Sequence, residues 1–250
     1  MPAKVLFGAE VSIGNVCNRQ KTLNTGEIMH IGLIGGIGPA ATEFYYRALV
    51  KLYSQADRRL ELTIANANAT ELVGNLEAGN KEAQAAVFAK YIDQLKGAGC
   101  EAVALTSMGG HFCMDALKSM SSLPLISALD ALHAHFLTRN IKRVGVLGTR
   151  VVMESKLYGL VGVEVVTIPS NELGTAHANY VSIAIAGKAT EDQRAYFEEA
   201  AERLIRAHGA QAVVLGGTDL FLAFDKLIYP YPIVDSALVH AEEIARLGMS

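Results

Sequence analysis

GCEAVALTSMGGHF, residues 99–112, is the stretch of sequence that decides the fold of this chain. Ala102 to Leu105 are small or apolar and predict a buried parallel strand. Thr106 to Gly110 follow as the loop at its carboxyl end, where open α/β sheets bind their ligands. The same pattern recurs near the end of the chain, where residues 212–215 lead into Gly-Gly-Thr-Asp at 216–219.

The correspondence between the two stretches belongs to a repeat that covers most of the chain. Ser107 has its counterpart in Gly217, about 110 residues later. Two further pairs of segments match in the same way, namely 30–35 with 143–148 and 123–128 with 231–236. The repeat predicts an α/β fold of two pseudo-twofold-related lobes, each a mostly parallel sheet of about four strands flanked by helices.

The repeat also predicts how the chain is divided. The first lobe is predicted to contain residues 30–130 together with 229–250, and the second lobe residues 131–228. Residues 1–29 show no clear periodicity and are predicted to be an N-terminal extension, the alternative being an ordinary arm packed on the surface. We expect the functional site in the cleft between the lobes.

Hydrophobic periodicity places the remaining elements between these strands. Helices are predicted over 40–54, 80–96, 111–120, 153–160 and 191–208, and polar loops over 68–71 and 170–178. The alternation of strand and helix is typical of parallel sheets.

The amino-acid composition argues against several classes of function. The chain is 51% hydrophobic and 19% charged, with a net charge of −3, which is typical of globular proteins. Its Lys and Arg residues are scattered, so we expect no nucleic-acid partner, and it has no apolar run of about 18 residues that would cross a membrane. The three cysteines lack metal-ligand spacing, which predicts no metal site and a reducing, cytoplasmic location.

A glycine-rich turn, Gly-Gly-Ile-Gly-Pro at 35–39, joins the first strand to a helix. Backbone N–H groups in such a turn can approach an anion at the helix N-terminus. The spacing is not that of a dinucleotide-binding fingerprint. A carboxylate is therefore the expected guest, with Gly36 and Gly38 among the binding residues.

Four segments together resemble the aspartate/glutamate racemase superfamily, namely 31–42 with Tyr45-Tyr46, 146–150 with Met153-Glu154, 215–220 and 235–242. The resemblance covers residues 30–250. It implies a two-lobed racemase or isomerase of a small amino acid or carboxylate that uses no pyridoxal phosphate, metal or other cofactor and forms a homodimer.

The family mechanism implied by the resemblance uses two thiols on opposite faces of the substrate. The first lies in a C-N-T-x-H type loop and the second in L-G-C-T-E-L. In this chain Ser107, four residues before His111, stands at the first position and Gly217 at the second. Because serine is a poor base and glycine has no side chain, we predict that the two-cysteine mechanism cannot operate here.

Three residues are candidates for catalysis. Ser107 is interpreted as a substrate-contacting hydroxyl or, less favoured, as a nucleophile. His111 is a candidate general acid or base near neutral pH, the alternative being a locally hydrogen-bonded histidine at a helix start. Asp219 is expected either to orient a proton carrier or to cap a short helix over 221–224.

The candidates for substrate binding lie in the loops at the strand ends. Gly216 to Thr218 combine backbone N–H groups with a hydroxyl, as oxyanion sites do. Met108 makes the pocket more apolar, and His177 faces the cleft if the family layout holds. The full set comprises Gly36, Gly38, Thr106, Met108, Gly109, Gly110, Thr149, His177, Gly216, Gly217 and Thr218.

The sequence therefore predicts a racemase-like isomerase with an acid–base set other than the cysteine pair. The alternatives are a lyase or decarboxylase on the same scaffold and a noncatalytic protein that binds a small carboxylate. Cys113 is predicted to be a buried structural cysteine rather than a displaced thiol. Activity is expected to depend on His111 more than on Cys113.

Overall fold

The computed structural model describes residues 28–36, 39–224 and 228–250. The described residues form eight strands: β1 (His30–Gly35), β2 (Glu61–Asn66), β3 (Ala102–Leu105), β4 (Leu125–Ile126), β5 (Arg143–Leu147), β6 (Glu164–Thr167), β7 (Ala212–Leu215) and β8 (Ile233–Asp235). Ten helices connect or flank them: α1 (Pro39–Gln55), α2 (Ala69–Glu77), α3 (Lys81–Gly97), α4 (Met114–Met120), α5 (Ala128–Thr138), α6 (Arg150–Glu154), α7 (Lys156–Gly159), α8 (Leu173–Ala186), α9 (Glu191–Arg206) and α10 (Ser236–Gly248). Two 3₁₀ helices, Gly109–Cys113 and Thr218–Ala223, follow β3 and β7.

The strands form two four-stranded sheets with the same order, β2-β1-β3-β4 and β6-β5-β7-β8. Every strand pair is parallel. The central strands β3 and β7 are buried along their whole length, as their continuous apolar runs predict. The predicted α/β fold of two similar parallel sheets is confirmed.

Each lobe has its own core, but the helices that follow β4 and β8 are exchanged between the lobes. Helix α5 follows β4 of the first sheet, yet its Leu132 and Phe136 pack in the cluster of the second lobe. Helix α10 follows β8 of the second sheet, yet its Ala241 and Ile244 pack with residues of β1 and α1. The exchange buries an apolar helix face of each half against the other half.

The exchange of helices between the lobes agrees only in part with the predicted lobe boundaries. The sequence predicts that residues 229–250 belong to the first lobe. Helix α10 of this segment does pack in the first core. Strand β8 of the same segment pairs instead with β7 of the second sheet. Of the predicted N-terminal extension, residues 1–27 lie outside the described part of the chain. Among the described helices, none is long and apolar enough to span a membrane.

Several local predictions need correction. The predicted loop at 68–71 begins α2, because the Asn68 side chain accepts hydrogen bonds from the backbone N–H groups of Thr70 and Glu71 and caps the helix. The predicted loop at 170–178 contains the first turn and a half of α8, which begins at Leu173. The predicted helix from 111 begins instead as a 3₁₀ helix at Gly109 and becomes α4 only at Met114.

The predicted helix over 153–160 is broken by a left-handed turn. Right-handed α6 ends at Glu154, and the four residues of α7 have positive φ angles, 50° at Lys156, 55° at Leu157, 55° at Tyr158 and 74° at Gly159. Three successive residues with a Cβ in this conformation cost about 1–2 kcal/mol each. The buried Leu157 and the bridging Tyr158 hold the turn in place.

Candidate active site

The loops at the carboxyl ends of β3 and β7 are built alike. Each strand is followed by a short loop, which holds Ser107 in one lobe and Gly217 in the other, and then by a 3₁₀ helix. Contacts between the lobes occur at the same places. The Tyr158 hydroxyl donates a hydrogen bond to the Gly109 carbonyl at 3.3 Å, and the rings of Phe44 and Phe221 lie 5.4 Å apart.

Hydroxyl groups connect the ends of β1 and β3 in the first lobe. Thr106 is buried and donates its hydroxyl proton to the Ile34 carbonyl at 3.2 Å. The Thr42 hydroxyl lies 3.2 Å from that of Thr106 and is therefore the donor between the two. The Thr106 hydroxyl thus holds the strand ends together, so it keeps only acceptor capacity for a ligand.

Gly36 turns away from β1 with a φ of +120°. A Cβ there would lie 2.8 Å from the carbonyl carbon of Ala67 and overlap its oxygen, so only glycine fits this close approach. Gly38, the other glycine predicted to bind substrate in this turn, lies outside the described residues.

Ser107 is half-buried at the end of β3. Its backbone carbonyl accepts a hydrogen bond from His111 Nδ1 at 2.8 Å, whereas its hydroxyl makes no hydrogen bond with any described residue. The hydroxyl therefore keeps its capacity to donate and accept a hydrogen bond.

His111 is fixed by its two ring nitrogens. Nδ1 donates to the Ser107 carbonyl, so Nε2 is the acceptor for the backbone N–H of Ala128 at 3.1 Å, in the first turn of α5. Burial lowers the pKa of His111 to about 4, although the bond to Ser107 opposes this shift. At neutral pH the ring is neutral and holds the Ser107 loop against α5.

His240, in the last segment of the family resemblance, lies behind His111. Its Nε2 donates to the Ile126 carbonyl and its Nδ1 accepts from the Tyr45 hydroxyl, each at 2.9 Å. Burial and, to a smaller extent, the His111 ring, whose centroid lies 5.9 Å from that of His240, lower the pKa of His240 to about 3. The two histidines form a neutral buried pair between β4, α5 and α10.

The two cysteines in the described residues are buried. The Cys113 thiol donates to the Gly110 carbonyl, and burial raises the pKa of this thiol to about 12. Burial also raises the pKa of Cys100. Neither thiol provides a thiolate near neutral pH. Among the described residues, no three potential ligand side chains lie close enough together to hold a metal ion.

The glycines of the second lobe allow close backbone packing. A Cβ at Gly148 would lie 2.8 Å from the carbonyl carbon of Gly216. The Gly216 N–H, predicted to face an oxyanion, donates instead to the Leu147 carbonyl at 2.6 Å. The N–H groups of Gly217 and Thr218 remain as candidates for that role.

Tyr180 of α8 occupies the space beside Gly217. A Cβ at Gly217 would lie 2.7 Å from Tyr180 Cζ and closer still to Cε2. Any side chain at 217 would therefore collide with the tyrosine ring unless that ring moved.

The Tyr180 hydroxyl donates to Asp219 Oδ2 at 3.1 Å. Asp219 is 3% exposed and lies inside the 3₁₀ helix, whose first residue follows Gly217, so it does not cap that helix. Burial raises the pKa of Asp219, and the bond from Tyr180 opposes the shift. Burial also raises the pKa of Tyr180, and the Asp219 carboxylate raises it further.

The remaining predicted residues make contacts within the loops and between the lobes. The Thr149 hydroxyl caps α6 by accepting a hydrogen bond from the Val152 N–H. His177 lies in α8, and its Nδ1 accepts a hydrogen bond from the Arg150 N–H at 3.4 Å.

Met108 is buried in the core of the second lobe, so it joins the lobes and does not stand at the mouth of a cleft. A Cβ at Gly110 would meet the ring of Phe88 at 3.3 Å.

A cavity of about 650 Å³ lies between the lobes, but beside this site. It is bounded by the 3₁₀ helix of the first lobe, by α5 and by the left-handed turn, and its lining includes His111, Ser127 and Tyr158. Ser107, Gly217 and Tyr180 do not line it. His111 therefore lines this cavity while its ring also holds the Ser107 loop.

Tyr180 is the residue that the sequence analysis missed. It lies four residues after Ala176 and three before Ile183, and both are buried, so helical spacing places it on the inner face of α8. Because the segment 170–178 reads as a polar loop, this spacing is visible only once α8 is known to begin at Leu173.

Comparison with known proteins shows the same fold and a family. The model of a family described as Asp/Glu/Hydantoin racemase matches residues 34–244. A Yersinia pestis protein described as a candidate Asp/Glu racemase is 23% identical and has a TM-score of 0.80, with 89% of this chain and 100% of that chain covered. An aspartate racemase homologue from Pyrococcus horikoshii OT3 is 24% identical, with a TM-score of 0.76 and the same coverage. Glutamate racemase from Francisella tularensis, solved with D-glutamate, is 17% identical, with a TM-score of 0.62 and coverage of 88% and 80%.

Proposed function

Because the chain belongs to the Asp/Glu/hydantoin racemase family, we propose that it is an isomerase that removes and returns the α-proton of a small amino acid or carboxylate. We propose that it does so without a cofactor and without a cysteine pair. The supporting observation is the equivalence of the two loops, with Ser107 and Gly217 at matching positions after the two central strands.

In this proposal the first lobe binds the substrate carboxylate. The Ser107 hydroxyl, which has no described partner, donates a hydrogen bond to a carboxylate oxygen. His111 is a positioning residue, because its two nitrogens hold the Ser107 loop to α5. The N–H groups of Gly217 and Thr218 face the charge that develops on the substrate as the α-proton leaves.

A lyase or decarboxylase is the second candidate, favoured by one observation. The two loops differ in the described groups that can carry a proton. Asp219 and Tyr180 lie beside Gly217 in the second lobe, whereas Ser107 in the first lobe has no activating base. Elimination and decarboxylation need a proton carrier on one side only. A cytoplasmic homodimer remains our expectation for either reaction.

Proton NMR in D₂O tests the proposed function. The protein is mixed in turn with both enantiomers of aspartate and glutamate, with other amino acids and with small dicarboxylates including malonates. Loss of an α-proton signal without a new product is the expected result. A new olefinic or decarboxylated product would assign the protein to the lyases. Line broadening without reaction across the panel would contradict an enzyme and indicate a carboxylate-binding protein.

A further inference from the structure

Tyr180 stands where a second catalytic side chain belongs. Its ring fills the space beside the Cα of Gly217, at the loop equivalent to that of Ser107. We propose that Tyr180 is the proton carrier on the second-lobe side of the substrate and that Asp219 takes up and returns the proton of its hydroxyl. This inference rests on the proposed function, because it names the group that performs the proton transfer.

The hydrogen bond between the two side chains has the direction that this role requires. The Tyr180 hydroxyl donates to Asp219 Oδ2, and the tyrosine is held by α8 while the aspartate is held by the 3₁₀ helix after β7. Because both groups stand on regular elements, their geometry is set before any substrate binds.

Asp219 is an uncommon choice for a purely structural partner. Its other oxygen, Oδ1, is buried and has no hydrogen-bond partner in other described residues. A buried carboxylate oxygen without a donor costs free energy that one bond from a tyrosine does not recover. An acceptor with spare capacity is what a proton relay needs, since the carboxyl group must gain and lose a proton.

The transfer balances without any further reactant. The α-hydrogen of the substrate moves as a proton to Tyr180 Oη while the original hydroxyl proton moves to Asp219 Oδ2. The electron pair of the broken C–H bond stays on the substrate as a carbanion conjugated with its carboxylate. The negative charge thus passes from Asp219 to the substrate, and the reverse transfer restores it.

The electrostatics of the pair agree with a relay. Burial raises the pKa of Asp219, which makes its carboxylate a stronger base than an exposed aspartate. The raised pKa of Tyr180 keeps its hydroxyl protonated. The phenol therefore passes a proton on and does not act as a standing phenolate.

No equivalent carrier stands on the opposite side in the described residues. The Ser107 hydroxyl has no base beside it, because both nitrogens of His111 are already engaged. Tyr180 accordingly removes the proton from one face of the substrate, and inversion needs a proton delivered by water to the opposite face. We expect the α-proton to exchange with solvent more often than the configuration inverts.

The Tyr180→Phe variant tests this role, because it removes the hydroxyl and keeps the ring. We expect α-proton exchange in D₂O to fall by about 100-fold, a typical effect of losing a general acid–base group, while the Kd for the same substrate changes less than about threefold. Tyr196→Phe is the matched control, since Tyr196 lies on α9 rather than α8 and its buried hydroxyl has no partner in the described residues. Its exchange rate should equal that of the wild type.

Asp219→Asn is the second variant and keeps the test valid if Tyr180→Phe folds poorly. The amide still accepts the tyrosine hydrogen bond but cannot take its proton, so exchange should fall at least tenfold with an unchanged Kd and melting temperature. Asp219→Glu should recover part of the lost rate. Equal loss of rate, binding and stability in Asp219→Asn would show a structural role and overturn the relay.

The outcomes separate the two proposals. If the wild type exchanges the α-proton and Tyr180→Phe does so at the same rate, Tyr180 is not the carrier and the proposed function stands. If the wild type exchanges no α-proton in the panel, the proposed function fails and the relay fails with it.

Discussion

At the scale of single residues, burial decides which groups can perform chemistry. His111 is spaced from Ser107 as a family histidine should be, and the sequence predicts this neighbourhood correctly. What sequence cannot show is that both ring nitrogens are used by backbone groups, Ser107 O and Ala128 N, which lie in separate elements. The catalytic role predicted for His111 is replaced in our proposal by a role in positioning the loop.

The buried state of His111 predicts a pH dependence of stability. Its pKa in the folded protein is about 4, below the usual 6.5. Its contribution to the free energy of unfolding is therefore fully present above pH 6.5 and is lost as the pH falls toward 4. In His111→Gln the amide can replace both hydrogen bonds but does not titrate. The stability difference between wild type and variant should therefore shrink by about 2 kcal/mol between pH 7.5 and pH 5, measured by urea unfolding. A difference that is the same at both pH values would show that His111 titrates normally.

At the scale of elements, short polar segments are the part of the fold that sequence patterns predict least well. Helix α8 begins among polar and small residues, so its inner face, with Leu173, Ala176 and Tyr180, does not stand out in residues 170–178. The strands β3 and β7 were predicted because their apolar runs are continuous and are followed by glycines. The sequence therefore predicts the strands that carry the candidate loops, but not the Tyr180 side chain that α8 brings beside Gly217.

The left-handed turn α7 predicts an uncommon effect of glycine. Lys156 is exposed and has a φ of 50°, so Lys156→Gly removes an αL penalty of about 1–2 kcal/mol and adds an entropic cost of about 0.5–1 kcal/mol. The melting temperature should stay the same or rise by a few degrees. Lys90→Gly, within right-handed α3, is the control and should lower it. A fall of the same size in both variants would contradict a left-handed turn.

At the scale of the whole molecule, the repeat predicts the two sheets and their common strand order. The predicted division puts residues 131–138 of α5 in the second lobe and α10 in the first, in agreement with their packing. It also puts β8 in the first lobe, although β8 pairs with β7 of the second sheet. The exchange, the Tyr158–Gly109 hydrogen bond and Met108 join the lobes around the loops. The pseudo-twofold scaffold is thus symmetric while its chemical groups are not, with Ser107 on one side and the Tyr180–Asp219 pair on the other.

This asymmetry is tested most directly by measuring exchange and inversion in the same D₂O sample. Loss of the α-proton signal is followed by NMR, and the enantiomer ratio of the same substrate is followed by chiral chromatography. Proton transfer on one face predicts that one enantiomer exchanges at least about tenfold faster than it inverts. Equal rates of exchange and inversion, from either enantiomer, would require a second proton carrier opposite Tyr180 and would contradict the account.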